Sequence, residues 1–174
     1  MEILEATSKP ARVTILKGST HPSVSVTRNS SYFSYAYENN ILLLKTTTSS
    51  NSAGFFINHD FSQYLGLGYK LVIKYGIAKT GSTITSASDL GNSLTLYHSS
   101  GSSDQATNEA GRETLVVTTD MKQAIINGTS ISERQYLVKS IDSFFTSTYK
   151  YIVFWDGSWR STYMTYAIEE IYIV

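Results

Sequence analysis

Hydrophobic and polar residues alternate along most of this chain, which is the pattern expected of half-buried β-strands. The clearest case is YKLVIKYGIA, where Leu71, Ile73 and Tyr75 share one face while Lys70 and Lys74 lie on the other. The segment ILLLKTTT is instead an almost continuous apolar run, short enough for a strand that is buried on both faces. These patterns predict a chain built mainly from strands.

Strand signals of this kind recur from one end of the sequence to the other. They occur in ARVTILKG, SVSVT, SYFSYAYENN, AGFFINHDF, SLTLYHS, ETLVVTTD, QAIING, RQYLVKSI, YKYIVFW and TYMTYAIEEIYIV. Only SERQYLVKSIDSFF also fits a helix, since Tyr136, Lys139 and Ser140 have helical spacing. Roughly ten strands without a regular alternation of helix and strand predict an all-β fold, an antiparallel two-sheet β-sandwich.

The last strand signal departs from strict alternation. Ile168, Ile171 and Ile173 cannot all face the core of one regular strand. A β-bulge near Glu169 and Glu170 would restore the alternation, because a bulge inserts one extra residue into a strand.

Composition narrows the classes of ligand. The 14 basic and 14 acidic residues give no net charge, so nothing favours a nucleic acid or an anionic lipid surface as partner. Thirteen tyrosines, seven phenylalanines and many serines and threonines predict a surface rich in aromatic and hydroxyl groups, suited to proteins or sugars. The absence of cysteine excludes disulfides and thiolate chemistry.

Length and the first residues give expectations about organisation. A chain of 174 residues without a linker or an internal repeat predicts a single domain over residues 1–174. The start MEILEATSKPARV does not look like a signal peptide, and no apolar stretch is long enough to insert into a membrane. We therefore expect folding in a cytoplasm, with a domain cut from a longer secreted protein as the alternative.

One long stretch resembles a known family. NNILLLKTTTSSNSAGFFINHDFSQYLGLGYKLVIKYGIAKT is similar to the central part of jelly-roll domains of the carbohydrate-binding-module or galactose-binding type. The residues that carry the resemblance are Leu42 and Leu44, Phe55 to Ile57, Asp60, Ser62 with Tyr64, and Leu71 to Tyr75. ETLVVTTDM and the closing YKYIVFWDGSW and AIEEIYIV resemble later strands of the same domains. The resemblance implies a jelly-roll sandwich.

The resemblance also implies a role in adhesion or assembly. Similar sandwich modules occur in bacteriophage virions and on bacterial surface enzymes, and the missing signal peptide favours the virion group. We therefore predict a non-enzymatic structural protein of the virion surface or tail, made in the host cytoplasm. Its expected partners are other virion proteins or further copies of itself, and host attachment through cell-surface polysaccharide is a second expected role. The alternative is a carbohydrate-binding module of a bacterial cell-surface system.

Residues for catalysis do not converge in the sequence. His59 and Asp60 are adjacent and would point to opposite faces of a strand, and the same argument separates Glu169 from Glu170. A glycosidase needs two carboxylates at a set separation. No nucleophile, phosphate-binding or zinc-protease motif is present. We expect no catalytic residue.

Metal ligands are equally sparse. The polar loop between Tyr97 and Glu113 offers Asp104, Asn108 and Glu109 as oxygen ligands, and similar jelly rolls often hold a structural calcium. Calcium requires six to eight oxygen ligands, and the loop lacks that density. We predict no cofactor and no metal site, and a solvated loop is favoured over a calcium site.

The two tryptophans form the candidate ligand site. In YKYIVFW, alternation assigns Ile152 and Phe154 to the core and places Trp155 on the outward, tyrosine-bearing face.

The residues that we predict to bind a ligand are Trp155, Asp156, Trp159, Arg160 and Tyr163. Aromatic rings stack on sugar faces, and Asp and Arg side chains bind sugar hydroxyls. Two other interpretations of the tryptophans stay open, namely a lid over the core and a contact between subunits.

Overall fold

The computed structural model of the protein describes residues 11–28, 33–46, 53–79, 84–91, 93–101, 111–156 and 164–174. Most of the regular structure in these ranges is strand, with two short α-helices. The strands are β1 (Val13–Leu16), β2 (Val24–Arg28), β3 (Phe33–Glu38), β4 (Ile41–Thr46), β5 (Ala53–Ile57), β6 (Lys70–Ala78), β7 (Ser93–Ser99), β8 (Arg112–Val116), β9 (Gln135–Ser140), β10 (Tyr151–Asp156) and β11 (Thr165–Ile173). The helices are α1 (Thr119–Ile126) and α2 (Ile141–Phe144).

The strands form two antiparallel sheets. The six-stranded sheet has the order β3-β4-β11-β6-β9, and β1 pairs with β11 in addition. The five-stranded sheet has the order β2-β5-β10-β7-β8. The predicted all-β fold, a two-sheet β-sandwich of jelly-roll type, is confirmed.

The core lies between the two sheets because every second side chain of each strand points inward. Phe55 and Phe154 enter it from the five-stranded sheet, and Leu71 and Ile73 enter it from the six-stranded sheet; all four are fully buried. The residues between them in sequence consequently lie on the outer faces, where they are available for function.

One predicted strand is wrong. QAIING was read as a strand, but its first residues belong to helix α1. The helical period is carried by Met121 and Ile125, which are buried against the core, and Thr118 caps the first turn. The segment SERQYLVKSIDSFF, by contrast, forms strand β9 followed directly by the short helix α2.

The bulge predicted in the last strand is confirmed. The pairing of β11 with β6 shifts between Ile168 and Glu170. The extra residue turns Glu169 and Glu170 to the same outer face of the six-stranded sheet, so the expectation that these neighbours point apart is wrong. A bulge adds one residue to one strand only, and strict alternation does not hold across it.

A tight turn follows strand β3. Asn39 and Asn40 join β3 to β4 with φ of 52° and 65°. Two successive residues in this left-handed region are typical of a two-residue hairpin turn, where asparagine is favoured.

No helix within the described ranges is long and apolar enough to cross a lipid bilayer.

Candidate functional site

The outer face of strand β10 presents aromatic residues. Ile152 and Phe154 are fully buried in the core, so Tyr151, Val153 and Trp155 point to the other side of the sheet. Tyr151 and Trp155 are half-buried. The predicted position of Trp155 on an outward, tyrosine-bearing face therefore agrees with the structure.

Four aromatic side chains surround Val153 on this face. Phe56 of β5 and Tyr97 of β7 are its direct cross-strand partners. Tyr151 and Trp155 stand two positions away on β10 itself. We call these four rings the aromatic cross. They bury Val153 completely, although it faces away from the core.

The indole of Trp155 lies against the backbone of the neighbouring strand. Its cross-strand partner is Gly54, which has no side chain in the way. A Cβ at Gly54 would approach Cε3 and Cζ3 of Trp155 to 3.2 Å and would collide with the hydroxyl of Thr27. Gly54 thus allows the indole to rest on the sheet.

A pocket opens at the Tyr151 end of the aromatic cross. It has a volume of about 390 Å³ and is lined by Ser23, Ser25, Phe56, Asn58, Ser100, Gly101 and Tyr151. The rings of Phe56 and Tyr151 are 5.3 Å apart between centroids and inclined by 52°. The pocket therefore combines two aromatic rings with hydroxyl and amide groups, at the lower end of the size range for small-ligand sites.

All the polar side chains that line the pocket are neutral. The Asn58 amide donates a hydrogen bond to the hydroxyl of Ser23 over 3.2 Å, which orients both groups. Each keeps further hydrogen-bonding capacity, because an amide has two donors and a hydroxyl can both donate and accept. Such groups can bind the hydroxyls of a neutral ligand.

A pair of opposite charges lies beside Tyr151. Lys150 Nζ lies 5.6 Å from the ring centroid of Tyr151 and 2.7 Å from a carboxylate oxygen of Asp60. The hydrogen bond to Asp60 raises the pKa of Lys150. Burial acts to raise the pKa of Asp60, but hydrogen bonds from Lys150 and Ser62 outweigh it and lower that pKa. Both groups are therefore charged and paired at neutral pH.

Asp156 does not join Trp155 on the outer face. It is only 4% exposed and points inward, because it directly follows Trp155 in the strand. Its carboxylate accepts a hydrogen bond from the hydroxyl of Tyr166, and burial together with this carboxylate raises the pKa of Tyr166 well above its usual value. The structure thus separates two predicted site residues that are adjacent in sequence.

The other predicted site residues, Trp159, Arg160 and Tyr163, lie outside the described residues, and their role stays a prediction. Asp104, Asn108 and Glu109, for which we favour a solvated loop over a calcium site, also lie outside the described residues. In the part of the chain that the structure describes, no three His, Cys, Asp or Glu side chains group as metal ligands.

The two glutamates at the bulge are held in ion pairs. Glu169 contacts Lys74 at 2.5 Å and Arg134 at 2.6 Å. Glu170 pairs with Arg12, and Lys17 lies 3.4 Å away. Although burial acts to raise it, the pKa of Glu169 is lowered by these hydrogen bonds and charges. A general acid in glycoside hydrolysis needs the opposite shift.

Sequence reasoning missed half of the aromatic cross. Tyr151 and Trp155 could be placed on one face from alternation within a single strand. Phe56 and Tyr97 lie about 100 and about 55 residues before β10 in sequence, and only the pairing of β10 with both β5 and β7 brings them together. No local signal in AGFFINHDF or SLTLYHS indicates that these two segments pair with β10.

No family model matches the sequence, and no curated protein matches it. Solved structures of similar fold include two variants of a family 29 carbohydrate-binding module, one complexed with cellulohexaose and one with mannohexaose. Each has a TM-score of 0.52 and 11% identity, over 93% of this chain and 89% of the module. The likeness concerns the fold: this chain has a β-sandwich like that of carbohydrate-binding modules.

Proposed function

We propose that the protein is a non-catalytic carbohydrate-binding module that binds a neutral hexose polysaccharide on the outer face of its five-stranded sheet. The aromatic cross and its adjoining neutral pocket carry this proposal. Flat aromatic rings offer apolar faces to the C–H groups of a sugar ring. The hydroxyls of Ser23 and Ser25 and the amide of Asn58 offer partners for sugar hydroxyls.

The ligands bound to two solved structures of similar fold support this choice of ligand class. The two structures compared above hold cellulohexaose and mannohexaose, which are both neutral hexose chains. The lining of the pocket in this chain is likewise uncharged. A uronate or sulfated sugar would lack a cation in that lining to pair with.

The sequence-based preference for a bacteriophage virion finds no support in the fold or in the comparisons. The alternative, a carbohydrate-binding module, is the better supported of the two. Attachment to a bacterial cell-surface system and folding in a cytoplasm remain proposals.

Affinity gel electrophoresis tests the proposed function. We expect hydroxyethylcellulose, glucomannan or galactomannan in the gel to retard the protein, and polygalacturonate to leave its mobility unchanged. Tyr151→Ala should weaken binding at least about fivefold, because removal of a central aromatic contact costs roughly 1 kcal/mol or more.

The matched control is Tyr136→Ala. Tyr136 is 57% exposed and lies on the outer face of the other sheet, so its removal should not change the retardation. Failure of every neutral hexose polymer to retard the unchanged protein would refute the proposal. Release of reducing ends from these polymers, abolished by Glu169→Gln, would show that the protein is an enzyme instead.

A further inference from the structure

The pocket and the Trp155 platform lie along one line on the sheet. Gly54 and Phe56 of β5 and Asn58, which directly follows β5, occupy every second position of the chain. They lie on the side of β5 that borders β10. Tyr151 and Trp155 stand on the β10 side. Trp155 leans over Gly54, and the ring of Tyr151 packs against Phe56. We call these five residues the β5–β10 seam.

The seam is longer than one sugar unit. Trp155 follows Tyr151 by four positions, which corresponds to about 13 Å along a strand. Between them lies Val153, which is fully buried although it faces away from the core. A ligand that touches both ends of the seam must itself be extended.

We propose that the β5–β10 seam binds a linear neutral oligosaccharide that runs parallel to the strands, with one unit in the pocket and a later unit on Trp155. The proposal rests on the proposed function and adds the direction of the chain and the need for several sugar units. Trp155 thus determines specificity for chain length, while the pocket binds a single unit.

A chain that crosses the strands would follow a different row. Ser25, Phe56, Val153, Tyr97 and Arg112 are successive cross-strand neighbours from β2 to β8. That row ends on an exposed guanidinium instead of an aromatic platform.

The contacts of the aromatic rings favour a sugar chain that follows the seam over one that follows this row. The indole of Trp155 rests on Gly54 of β5, and Tyr151 packs against Phe56, also of β5. The aromatic surface of β10 therefore extends toward β5, whose Phe56 and the following Asn58 also line the pocket.

Isothermal titration calorimetry with cello- and manno-oligosaccharides from the disaccharide to the hexasaccharide tests the direction. For the unchanged protein we expect the affinity to rise at least about fivefold over the series, because the longer chains gain the Trp155 contact. Trp155→Leu should abolish this gain, since leucine keeps an apolar side chain on Gly54 but removes the flat ring. Arg112→Ala should retain it, because Arg112 lies off the seam, at the far end of the row that crosses the strands.

The possible outcomes separate this inference from the proposed function. If no oligosaccharide binds, both fail. If oligosaccharides bind with the same affinity at every length, only the inference fails. If Arg112→Ala abolishes the gain and Trp155→Leu preserves it, the chain crosses the strands and the inference is overturned. The melting temperature of each variant shows whether it is folded. If Trp155→Leu does not fold, Trp155→Phe replaces it as the milder substitution.

Discussion

Gly54 leaves room for the indole of Trp155 against the five-stranded sheet. Glycine is unfavourable inside a strand because it adds no side chain to the packing and loses the most backbone freedom on folding. Here the missing side chain makes room for an aromatic one from the next strand, with indole carbons 3.2 Å from where a Cβ would stand. A position that looks weak in the sequence thus shapes the candidate site.

Replacement of this residue gives a prediction at the residue scale. Gly54→Ala should lower the free energy of unfolding by about 1–3 kcal/mol, the usual cost of overpacking. It should also shift the fluorescence of Trp155, measured in a Trp159→Phe background. Urea unfolding gives the free energy. Thr27→Ala added to Gly54→Ala should recover part of the loss, because the Thr27 hydroxyl is the atom closest to the added methyl group. A Gly54→Ala protein with unchanged stability and emission would contradict this account.

Helix α1 shows how an element can be misread from its sequence. The strand interpretation of QAIING depended on a short apolar run, which cannot by itself distinguish a buried strand from a helix. The decisive signal lies before it, in the TTDM segment, where the Thr118 hydroxyl accepts a hydrogen bond from the backbone N–H of Met121 over 3.2 Å. This cap satisfies a donor that the first turn leaves open.

Loss of the cap gives a prediction at the element scale. Thr118→Ala should lower the free energy of unfolding by about 1 kcal/mol, because the backbone N–H of Met121 loses its acceptor. Thr118→Ser keeps the hydroxyl and serves as the matched control, with stability close to that of the unchanged protein. Chemical denaturation of the three proteins measures the difference. Equal destabilisation by alanine and serine would mean that the methyl group of Thr118, and not its hydroxyl, stabilises the helix.

Tyrosine hydroxyls join the two sheets of the whole molecule. Tyr75 of β6 donates to the backbone carbonyl of Val116 in β8 over 3.1 Å, and Tyr166 of β11 donates to Asp156 of β10. Tyr37 of β3 approaches the carbonyl of Pro22, just before β2, at 3.4 Å. Each bridge needs a protonated hydroxyl, because a phenolate cannot donate.

These tyrosines make the stability of the sandwich sensitive to alkali. Burial raises the pKa of Tyr75 and Tyr166, and burial together with Tyr35 raises that of Tyr37 to about 12. A raised pKa in the folded state means that the unfolded chain ionises first, from about pH 10. The stabilisation is therefore complete below pH 10 and is lost as the pH rises toward the folded-state pKa values.

Between pH 10 and about 12 we expect Tyr37 to make the free energy of unfolding fall by about 1.4 kcal/mol per pH unit. Tyr37→Phe should reduce this slope by about one proton, whereas Tyr136→Phe, at an exposed tyrosine outside the bridges, should follow the unchanged protein. Urea unfolding at a series of pH values measures the slope. An identical slope in Tyr37→Phe would contradict the assignment.

Sequence patterns were sufficient for features that depend on one strand at a time. The inward and outward sides of β10, the bulge near Glu169 and Glu170 and the turn at Asn39 and Asn40 each follow from the period or the turn chemistry of a short segment. Alternation fails where geometry departs from it, as the bulge turned both glutamates to one face. Alternation places Asp156 on the inward face of β10, opposite Trp155, but it does not show that Tyr166 is its partner there.

By itself the sequence determined that the chain forms an antiparallel β-sandwich and that Trp155 faces outward with Tyr151, since a period of two assigns the faces of a strand without knowledge of its partners. Only the tertiary structure decided that Phe56 and Tyr97 complete the aromatic cross and that Gly54 leaves room for the indole. It also decided that the buried carboxylate of Asp156 pairs with the hydroxyl of Tyr166. Those contacts depend on which strands pair and in which register, which is fixed by the packing of the entire core and not by any local segment.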